Sequence, residues 1–139
     1  MANPDINLLS VIIVTIISII LGTLWYSPLL FGNVWIKLMG FSKKDIEKGK
    51  KKGMAKQYII MSITSLIMIY VLAHFVDYTG SITFTQGMVT GLWIWLGFLA
   101  TTMLGTVLWE GKSFNLYLIN TIYYLVLLML AGGILAVWI

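Results

Sequence analysis

The sequence contains no cysteine, which excludes a disulfide framework and any metal site built on thiolates. It also contains a single histidine, whereas zinc sites normally combine several histidine or cysteine ligands. Charge is scarce as well, because only 10% of the 139 residues are charged while 60% are hydrophobic. In soluble domains the apolar fraction is nearer half. The composition, with a mean hydropathy of +0.96, therefore predicts an integral membrane protein.

Four apolar runs are long enough to cross a bilayer as helices. A helix needs about 20 residues, at about 1.5 Å each, to span roughly 30 Å of hydrocarbon. Transmembrane strands would instead alternate polar and apolar residues over about ten positions. We therefore expect an all-α integral membrane protein, with one four-helix transmembrane domain over residues 1–139. The runs lie at residues 6–26, 57–76, 86–109 and 114–138.

The first run raises the alternative of a cleaved signal peptide. Signal peptides carry a basic segment before the apolar run and small residues at the cleavage site. Residues 1–26 show neither feature, so we expect this helix to be retained.

All nine positive charges are lysines, and their distribution predicts the orientation of the chain. Eight lie within residues 37–56, between the first two runs, and the ninth is Lys112, between the last two. The amino terminus and the connection from Asp77 to Thr85 carry no lysine. By the positive-inside rule, lysine-bearing loops stay in the cytoplasm. We therefore expect a multi-pass protein of the cell (inner) membrane, with a cytoplasmic basic link and both termini outside.

Two stretches of the sequence echo one another. LGTLWYSP at residues 21–28 is similar to LGTVLWEG at 104–111, and YIIMSI at 58–63 is similar to YLINTI at 117–122. Helices 1 and 3 run in the same direction in the expected topology. The echo therefore indicates two helical hairpins related by an axis along the membrane normal, as in some transporters. Chance matching between leucine-rich segments is the alternative.

Longer strings resemble a known family. LGTLWYSPLLFGNVW on helix 1, GLWIWLGFLATTMLGTVLWEGKS on helix 3 and LYLINTIYYL on helix 4 resemble the small bacterial membrane proteins classed as domain-of-unknown-function family 1761. The resemblance covers nearly the whole chain, including the basic link. It implies the same membrane architecture and brings no activity with it. The matching motif residues are Trp25, Tyr26, Ser27, Pro28, Trp109, Glu110, Gly111 and Asn120.

A proline follows the first predicted helix. Pro28 lacks the N–H group that a helix interior needs, and it biases Ser27 away from helical angles. Trp25 and Tyr26 would then lie at the depth of the lipid head groups, where amphipathic aromatic rings are favoured. A second interpretation is that the broken helix exposes its backbone carbonyls to a polar cavity.

After the proline, an amphipathic stripe begins the link between the first two runs. Phe31, Val34, Trp35 and Leu38 recur at intervals of three and four residues. Such spacing predicts a helix that lies in the membrane interface with its apolar face toward the lipid.

A lysine-rich segment comes after this stripe. Ser42 and Asp45 form a capping-box pattern, so we expect a helix that starts near Lys43 and runs on into helix 2. Its lysine cluster should attract anionic lipid head groups. We do not expect nucleic acid as a partner, because arginine is absent and no aromatic residues interleave with the lysines.

Glu110 is the acid that most needs compensation. It falls at the carboxyl end of helix 3, where the helix dipole disfavours a negative charge. Lys112 is near enough in sequence to pair with it, and Gly111 is a natural helix stop. Ser113 or Asn115 would cap helix 4. A solvated carboxylate in an interfacial turn and a carboxylate that faces an inner vestibule both remain open.

Polar and small residues deeper in the membrane have two interpretations. Asn120 on helix 4 and Thr102 on helix 3 are of a type that most often forms hydrogen bonds between packed helices. Small residues on helix 3 would let another helix approach closely, within the bundle or across a dimer interface. They are Gly87, Gly91, Gly97, Thr101 and Gly105.

The sequence shows no constellation of nucleophile, base and metal ligands, so we expect neither an enzyme nor a cofactor. The polar groups favour binding or transport of a small solute by a homo-oligomer. An accessory or scaffolding membrane protein without a solute path is the alternative. The two differ in whether the face that carries Asn120 and Thr102 is wet. The expected polar site consists of Trp25, Ser27, Trp109, Glu110, Lys112 and Asn120, with Trp25 and Trp109 framing a cytoplasmic mouth.

Overall fold

The computed structural model describes residues 5–138 and is all-helical over them. Four segments are long and apolar enough to span a membrane, which confirms the predicted fold class. Two short helices lie in the link between the first two spans. The elements are α1 (Leu8–Trp25), α2 (Gly32–Met39), α3 (Lys43–Lys52), α4 (Ala55–Tyr78), α5 (Phe84–Ile94), a π-helical segment (Trp95–Ala100), α6 (Thr101–Met103), α7 (Gly105–Leu108) and α8 (Phe114–Val137).

Both lysine-bearing connections lie at one end of the bundle. At the opposite end, the side-chain amide of Asn7 donates a hydrogen bond to the backbone carbonyl of Trp138 (3.4 Å), so the start of α1 meets the end of α8. The link follows α1 and Lys112 precedes α8, so both lie at the end of the bundle opposite to this contact. Which end faces the cytoplasm stays a prediction. The chain ends, residues 1–4 and 139, lie outside the described residues.

An apolar core joins α1, α4 and α8 in the half of the bundle that is farther from the link. In a bilayer, apolar side chains gain little by leaving lipid, so close packing between helices provides the stabilisation. The buried members of this core are Val11, Val14, Ile69, Leu72, Ala73, Val76, Leu128, Ala131, Leu135 and Ala136.

Glycines bring the third span (Phe84–Leu108) into backbone contact with α8. A Cβ atom added at Gly91 would clash with the carbonyl oxygen of Leu128, and one added at Gly87 would clash with the carbonyl oxygen of Gly132. Both glycines therefore serve the close helix approach expected of small residues, and they do so within the chain. Gly97 differs, since no described atom beyond its chain neighbours and the backbone of its own helix lies within 4 Å of the corresponding position.

The third span is not the single continuous helix that the sequence predicted. Its hydrogen bonding changes to a π-helical pattern from Trp95 to Ala100, and a turn at Leu104 separates α6 from α7. Side chains and backbone of α8 contact this segment. The hydroxyl of Tyr117 donates to the carbonyl of Ala100 (2.6 Å), and the indole of Trp95 donates to the carbonyl of Thr121 (2.7 Å). These tertiary bonds stabilise a geometry that is rare in isolated helices.

The link contains the predicted amphipathic helix, α2, followed by the capped helix α3. The hydroxyl of Ser42 accepts a hydrogen bond from the backbone N–H of Asp45 (3.2 Å), and the Asp45 carboxylate accepts one from the N–H of Ser42 (2.8 Å). The capping box is therefore confirmed. The expected continuation into the second span is wrong. Gly53 has a φ of +73°, which interrupts the helix after Lys52, and α4 begins separately at Ala55.

Replacement of Gly91 by alanine should destabilise the bundle, because the new methyl group meets the Leu128 carbonyl and must push α5 away from α8. Overpacking of this kind costs about 1–3 kcal/mol. The matched control is Gly97→Ala, for which the described residues leave open space. The measurement is the free energy of unfolding of each variant in detergent micelles. Equal stability of the two variants would show that α5 and α8 do not pack this closely.

The carboxyl group of Asp45 should titrate below its ordinary range. The backbone N–H and the hydroxyl of Ser42 both donate to it, and they lower the pKa of Asp45 from its usual 3.8. A lowered pKa in the folded helix means that the cap stabilises α3 above pH 3.8 and that this stabilisation is lost as the pH falls through the folded value.

An NMR titration of the Asp45 carboxyl carbon measures this effect. Ser42→Ala removes the hydroxyl donor and should raise the pKa of Asp45, whereas Ser42→Thr keeps the donor and should leave it low. An identical pKa of Asp45 in both variants would contradict the contribution of the hydroxyl.

Candidate functional site

A cavity of about 680 Å³ lies between α1, α2, α4 and α8, at the end of the bundle that carries the link. Small-molecule sites typically measure about 300–1,000 Å³ and combine apolar walls with a few polar groups. The described residues that line this cavity include five aromatic residues and four methionines, and none of them is charged. The lining residues are Gly22, Thr23, Tyr26, Trp35, Ile36, Met39, Met54, Gln57, Tyr58, Met61, Thr64, Ser65, Met68, Asn120, Tyr123 and Tyr124.

The turn after α1 brings α2 to the cavity. The hydroxyl of Ser27 donates to the carbonyl of Leu24 (2.6 Å), and the N–H of Gly32 donates to the carbonyl of Ser27 (2.9 Å). Only glycine fits at position 32, because a Cβ atom there would clash with the backbone carbonyl of Tyr26. The chain therefore turns tightly around the proline, and α2 contributes Trp35 to the cavity wall.

Aromatic rings from α2, α8 and the end of α1 meet at this wall. The ring of Tyr26 lies 5.7 Å from that of Trp35 and 5.5 Å from that of Tyr123, both edge to face. Tyr123 in turn lies 5.0 Å from Tyr124. Gly22 makes room for this group, since a Cβ atom there would come within 2.8 Å of the Tyr123 hydroxyl. Each aromatic pair of this kind contributes about 0.5–1.5 kcal/mol, so the wall is held in place by its own contacts.

One hydrogen-bonded pair of side chains provides polar groups in the wall of the cavity. The hydroxyl of Tyr26 donates to Oδ1 of Asn120 (2.8 Å) and so joins the end of α1 to α8. Beside it, the indole of Trp25 donates to the backbone carbonyl of Ile119 (3.1 Å). Within residues 5–138, the amide nitrogen of Asn120 has no hydrogen-bond partner. An amide nitrogen carries two N–H donors, so Asn120 can donate to an acceptor group in the cavity.

The structure brings three of the predicted site residues together. Trp25, Ser27 and Asn120 lie where the end of α1 meets α8. Only Asn120 lines the cavity itself. Trp25 and Ser27 form hydrogen bonds to backbone carbonyls, and these bonds fix the position of the turn that the cavity depends on.

The other three predicted site residues lie at the connection between the third span and α8, away from the cavity lining. Trp109 is 88% exposed. Glu110 and Lys112 are exposed too, and over the described part of the chain they form no ion pair with each other. Gly111 has the expected left-handed conformation, with a φ of +69°, and Ser113 caps α8 by accepting a backbone N–H (3.1 Å). This region therefore forms an exposed turn between the third span and α8.

Two juxtapositions expected from the sequence do not occur. Trp25 is bonded to α8 while Trp109 projects from the end of α7 with almost its whole side chain exposed, so they do not frame one mouth. Asn120 lines the cavity, whereas Thr102 is exposed on the third span and donates its hydroxyl to the carbonyl of Phe98 in its own span. Asn120 and Thr102 therefore belong to different surfaces.

The wall formed by α4 and the residue before it was not predicted from the sequence. Met54, Met61 and Met68 line the cavity at intervals of seven residues, with Ser65 between the last two. Residues seven apart lie on one face of a helix, so this spacing was the available signal. Methionine side chains are flexible and polarisable and adapt to ligands of irregular shape.

Comparison with known proteins gives one match. The family model described as "Protein of unknown function (DUF1761)" matches residues 9–136. No curated protein and no solved structure matches the chain.

Removal of the Tyr26 hydroxyl should loosen the contact between α1 and α8. Tyr26→Phe leaves Oδ1 of Asn120 without this partner, and loss of such an interhelical bond costs about 1 kcal/mol of unfolding free energy. Tyr124→Phe is the matched control, because Tyr124 lines the same cavity and its hydroxyl forms no hydrogen bond among residues 5–138.

The measurement is unfolding in mixed micelles, extended to a double-variant cycle. Tyr26→Phe combined with Asn120→Ala should cost little more than Asn120→Ala alone, because the two residues share one bond. Fully additive losses would show that the bond does not form.

Proposed function

This chain belongs to the DUF1761 family of proteins of unknown function, and we propose that it is a membrane protein that binds a small amphipathic molecule in the cavity between α1, α2, α4 and α8. The observation that carries the proposal is the cavity itself, with its volume of about 680 Å³ at a junction of four helices. Membrane bundles are stabilised by close packing, so a purely structural protein gains nothing from an opening of this size.

The walls of the cavity suit a ligand that is mostly apolar. Aromatic rings such as those of Trp35 and Tyr123 offer large, rigid contact surfaces, and methionines such as Met61 adapt to the shape of the ligand. A binding site of this composition selects by shape and by a small number of hydrogen bonds.

Asn120 supplies the orienting hydrogen bond in this proposal. Its Oδ1 accepts from Tyr26, which fixes the amide so that its N–H groups are available for a ligand. A carbonyl, hydroxyl or ether oxygen on the ligand would accept from them. The ligand would therefore carry one acceptor within reach of α8 and apolar surface elsewhere.

The surroundings of the cavity indicate where the ligand comes from. The cavity lies at the lysine-bearing end of the bundle, which the positive-inside rule assigns to the cytoplasmic side of the cell membrane. On this assignment both termini are extracytoplasmic. The ligand would enter from the cytoplasmic leaflet or the adjacent water, and the lysine cluster would hold anionic lipid head groups close by.

The apolar core restricts what one copy of the chain can do. On the far side of the cavity, α1, α4 and α8 close around buried side chains such as Val14, Ile69 and Leu128. A solute bound in the cavity therefore meets packed side chains in that direction. Binding in the cavity requires only one copy of the chain. For transport, we propose that a second copy in a homo-oligomer completes the path of the solute across the membrane.

The absence of cysteine allows a test of this cavity without background labelling. Ser65→Cys places a thiol in the cavity wall, and Ser18→Cys places one on α1, where the native side chain is 1% exposed. Both variants exchange a hydroxyl for a thiol of similar size. We expect Ser65→Cys to react with neutral iodoacetamide at least about tenfold faster than Ser18→Cys, because only the cavity admits the reagent.

A charged, membrane-impermeant thiol reagent then gives the side of entry. It should label Ser65→Cys from the side that carries the link and not from the other side. If Ser65→Cys is as unreactive as Ser18→Cys, the cavity is closed to small molecules. An accessory or scaffolding role would then replace the binding function.

A further inference from the structure

The cavity and the basic link are adjacent in the structure, and together they define the charge of the ligand. Resting on the proposed function, we infer that the ligand is a single-chain amphiphile with an anionic head group. Its chain occupies the cavity, and its head group lies among the lysines of the link.

The lining of the cavity sets the chemistry of the buried part of the ligand. Of the described residues that line it, none is charged, so a charged group buried there would lose its hydration without a compensating partner. The part of the ligand inside the cavity is therefore uncharged and mainly apolar. Its polar end must lie at the mouth or against the Asn120 amide.

The link beside the cavity is strongly basic. Residues 37–56 hold eight lysines and two acids, a net charge of +6, while the whole chain carries +4. One of the two acids, Asp45, is already hydrogen-bonded to Ser42 in the cap of α3. Clefts with low-dielectric walls focus such a field and concentrate ions of the opposite sign.

Both ends of the link lie beside the cavity. Ile36 on α2 and Gln57 on α4 line the cavity, and the neighbouring residues Lys37 and Lys56 are exposed. The lysine cluster therefore begins and ends beside cavity-lining residues. We place the head group between α2 and α4, because each of these helices carries an exposed lysine next to a cavity-lining residue.

The same charges oppose a cationic ligand. Aromatic rings can bind organic cations through their faces, and the cavity has five aromatic residues. Cation sites of that kind are stabilised further by nearby carboxylates, and none lines this cavity among the described residues. With a net charge of +6 across the link, approach of a cation is electrostatically unfavourable.

The size of the cavity favours one chain rather than two. Its volume of about 680 Å³ matches a ligand of drug-like dimensions. A two-chain phospholipid is larger than such ligands and would have to leave one chain in the bilayer. The ligand is therefore a single-chain amphiphile, and the experiment below distinguishes it from a bilayer phospholipid.

Protection of the cavity thiol tests the inference. Ser65→Cys in phosphatidylcholine vesicles is alkylated with neutral iodoacetamide in the presence of dodecyl phosphate, dodecanol or dodecyltrimethylammonium, each at matched mole fractions in the bilayer. Iodoacetamide is neutral and is not repelled by the surface charge that these probes introduce, but it reacts with the thiolate, whose fraction depends on that charge. Each rate is therefore divided by the rate of Ser42→Cys, an exposed thiol in the link, in the same vesicles. We expect dodecyl phosphate to halve the alkylation rate at a mole fraction about fivefold lower than the mole fraction of dodecanol that has the same effect. Dodecyltrimethylammonium should require the highest mole fraction of the three probes.

Paired lysine variants locate the source of this preference. Lys37→Gln with Lys56→Gln, in the Ser65→Cys background, should reduce the advantage of dodecyl phosphate over dodecanol at least about threefold, because these two lysines are next to cavity-lining residues. Lys44→Gln with Lys48→Gln removes the same charge from α3 and should change the advantage less than about twofold. Equal effects of the two pairs would overturn a head-group site at the mouth.

The remaining outcomes separate the two proposals. Equal protection by dodecyl phosphate and dodecanol overturns the anionic head group and leaves the binding cavity standing. Strongest protection by dodecyltrimethylammonium overturns it in favour of an organic cation. A further sample contains phosphatidylglycerol in the vesicles and no single-chain probe. If phosphatidylglycerol alone protects Ser65→Cys, the ligand is a two-chain bilayer lipid, and the inference of a single chain is overturned. If Ser65→Cys stays reactive and none of these probes slows alkylation, the cavity takes no amphiphile, and the proposed function fails as well.

Discussion

The end of α1 is the constraint on which the lysine-bearing half of the molecule depends. In a bilayer a helix can stop only where water or other parts of the protein satisfy its last carbonyl groups. Here the hydroxyl of Ser27 and the N–H of Phe31 satisfy two of them, and the hydroxyl of Tyr26 reaches across to Asn120 on α8. The chain then turns back, and α2 supplies Trp35 to the cavity. Continuation of α1 as a straight helix would remove this wall.

The two ends of the bundle are packed differently. At the end farther from the link, α1, α4 and α8 share a tight core, and Gly87 and Gly91 hold the third span against α8. Toward the link, the same helices separate around the cavity. In the proposed binding function, the closely packed half would hold the cavity walls in position. The positive charge is divided in the same way, because all nine lysines lie at the open end.

The echo between the ends of the first and third spans has two different structural outcomes. Trp25 forms a hydrogen bond to α8, whereas Trp109 is exposed. The residues after the two tryptophans differ, since Pro28 leads into a tight turn and Gly111 into a short connection to the next helix. The tryptophan therefore packs between helices in the first segment and is exposed in the second. The hairpin repeat itself stays a prediction.

The sequence alone determined the four spans, the end of α1 near Pro28, the cap at Ser42 and the cluster of lysines, because these depend on local hydropathy, backbone chemistry and charge. The sequence also identified Asn120 as a candidate site residue, because it is a polar residue in an apolar segment. Only the tertiary structure decided that Asn120 faces Tyr26 and that α4 contributes a methionine wall, since both depend on how helices distant in sequence are rotated and spaced. The π-helical segment at Trp95 likewise depends on bonds to α8, which no local pattern of the third span contains.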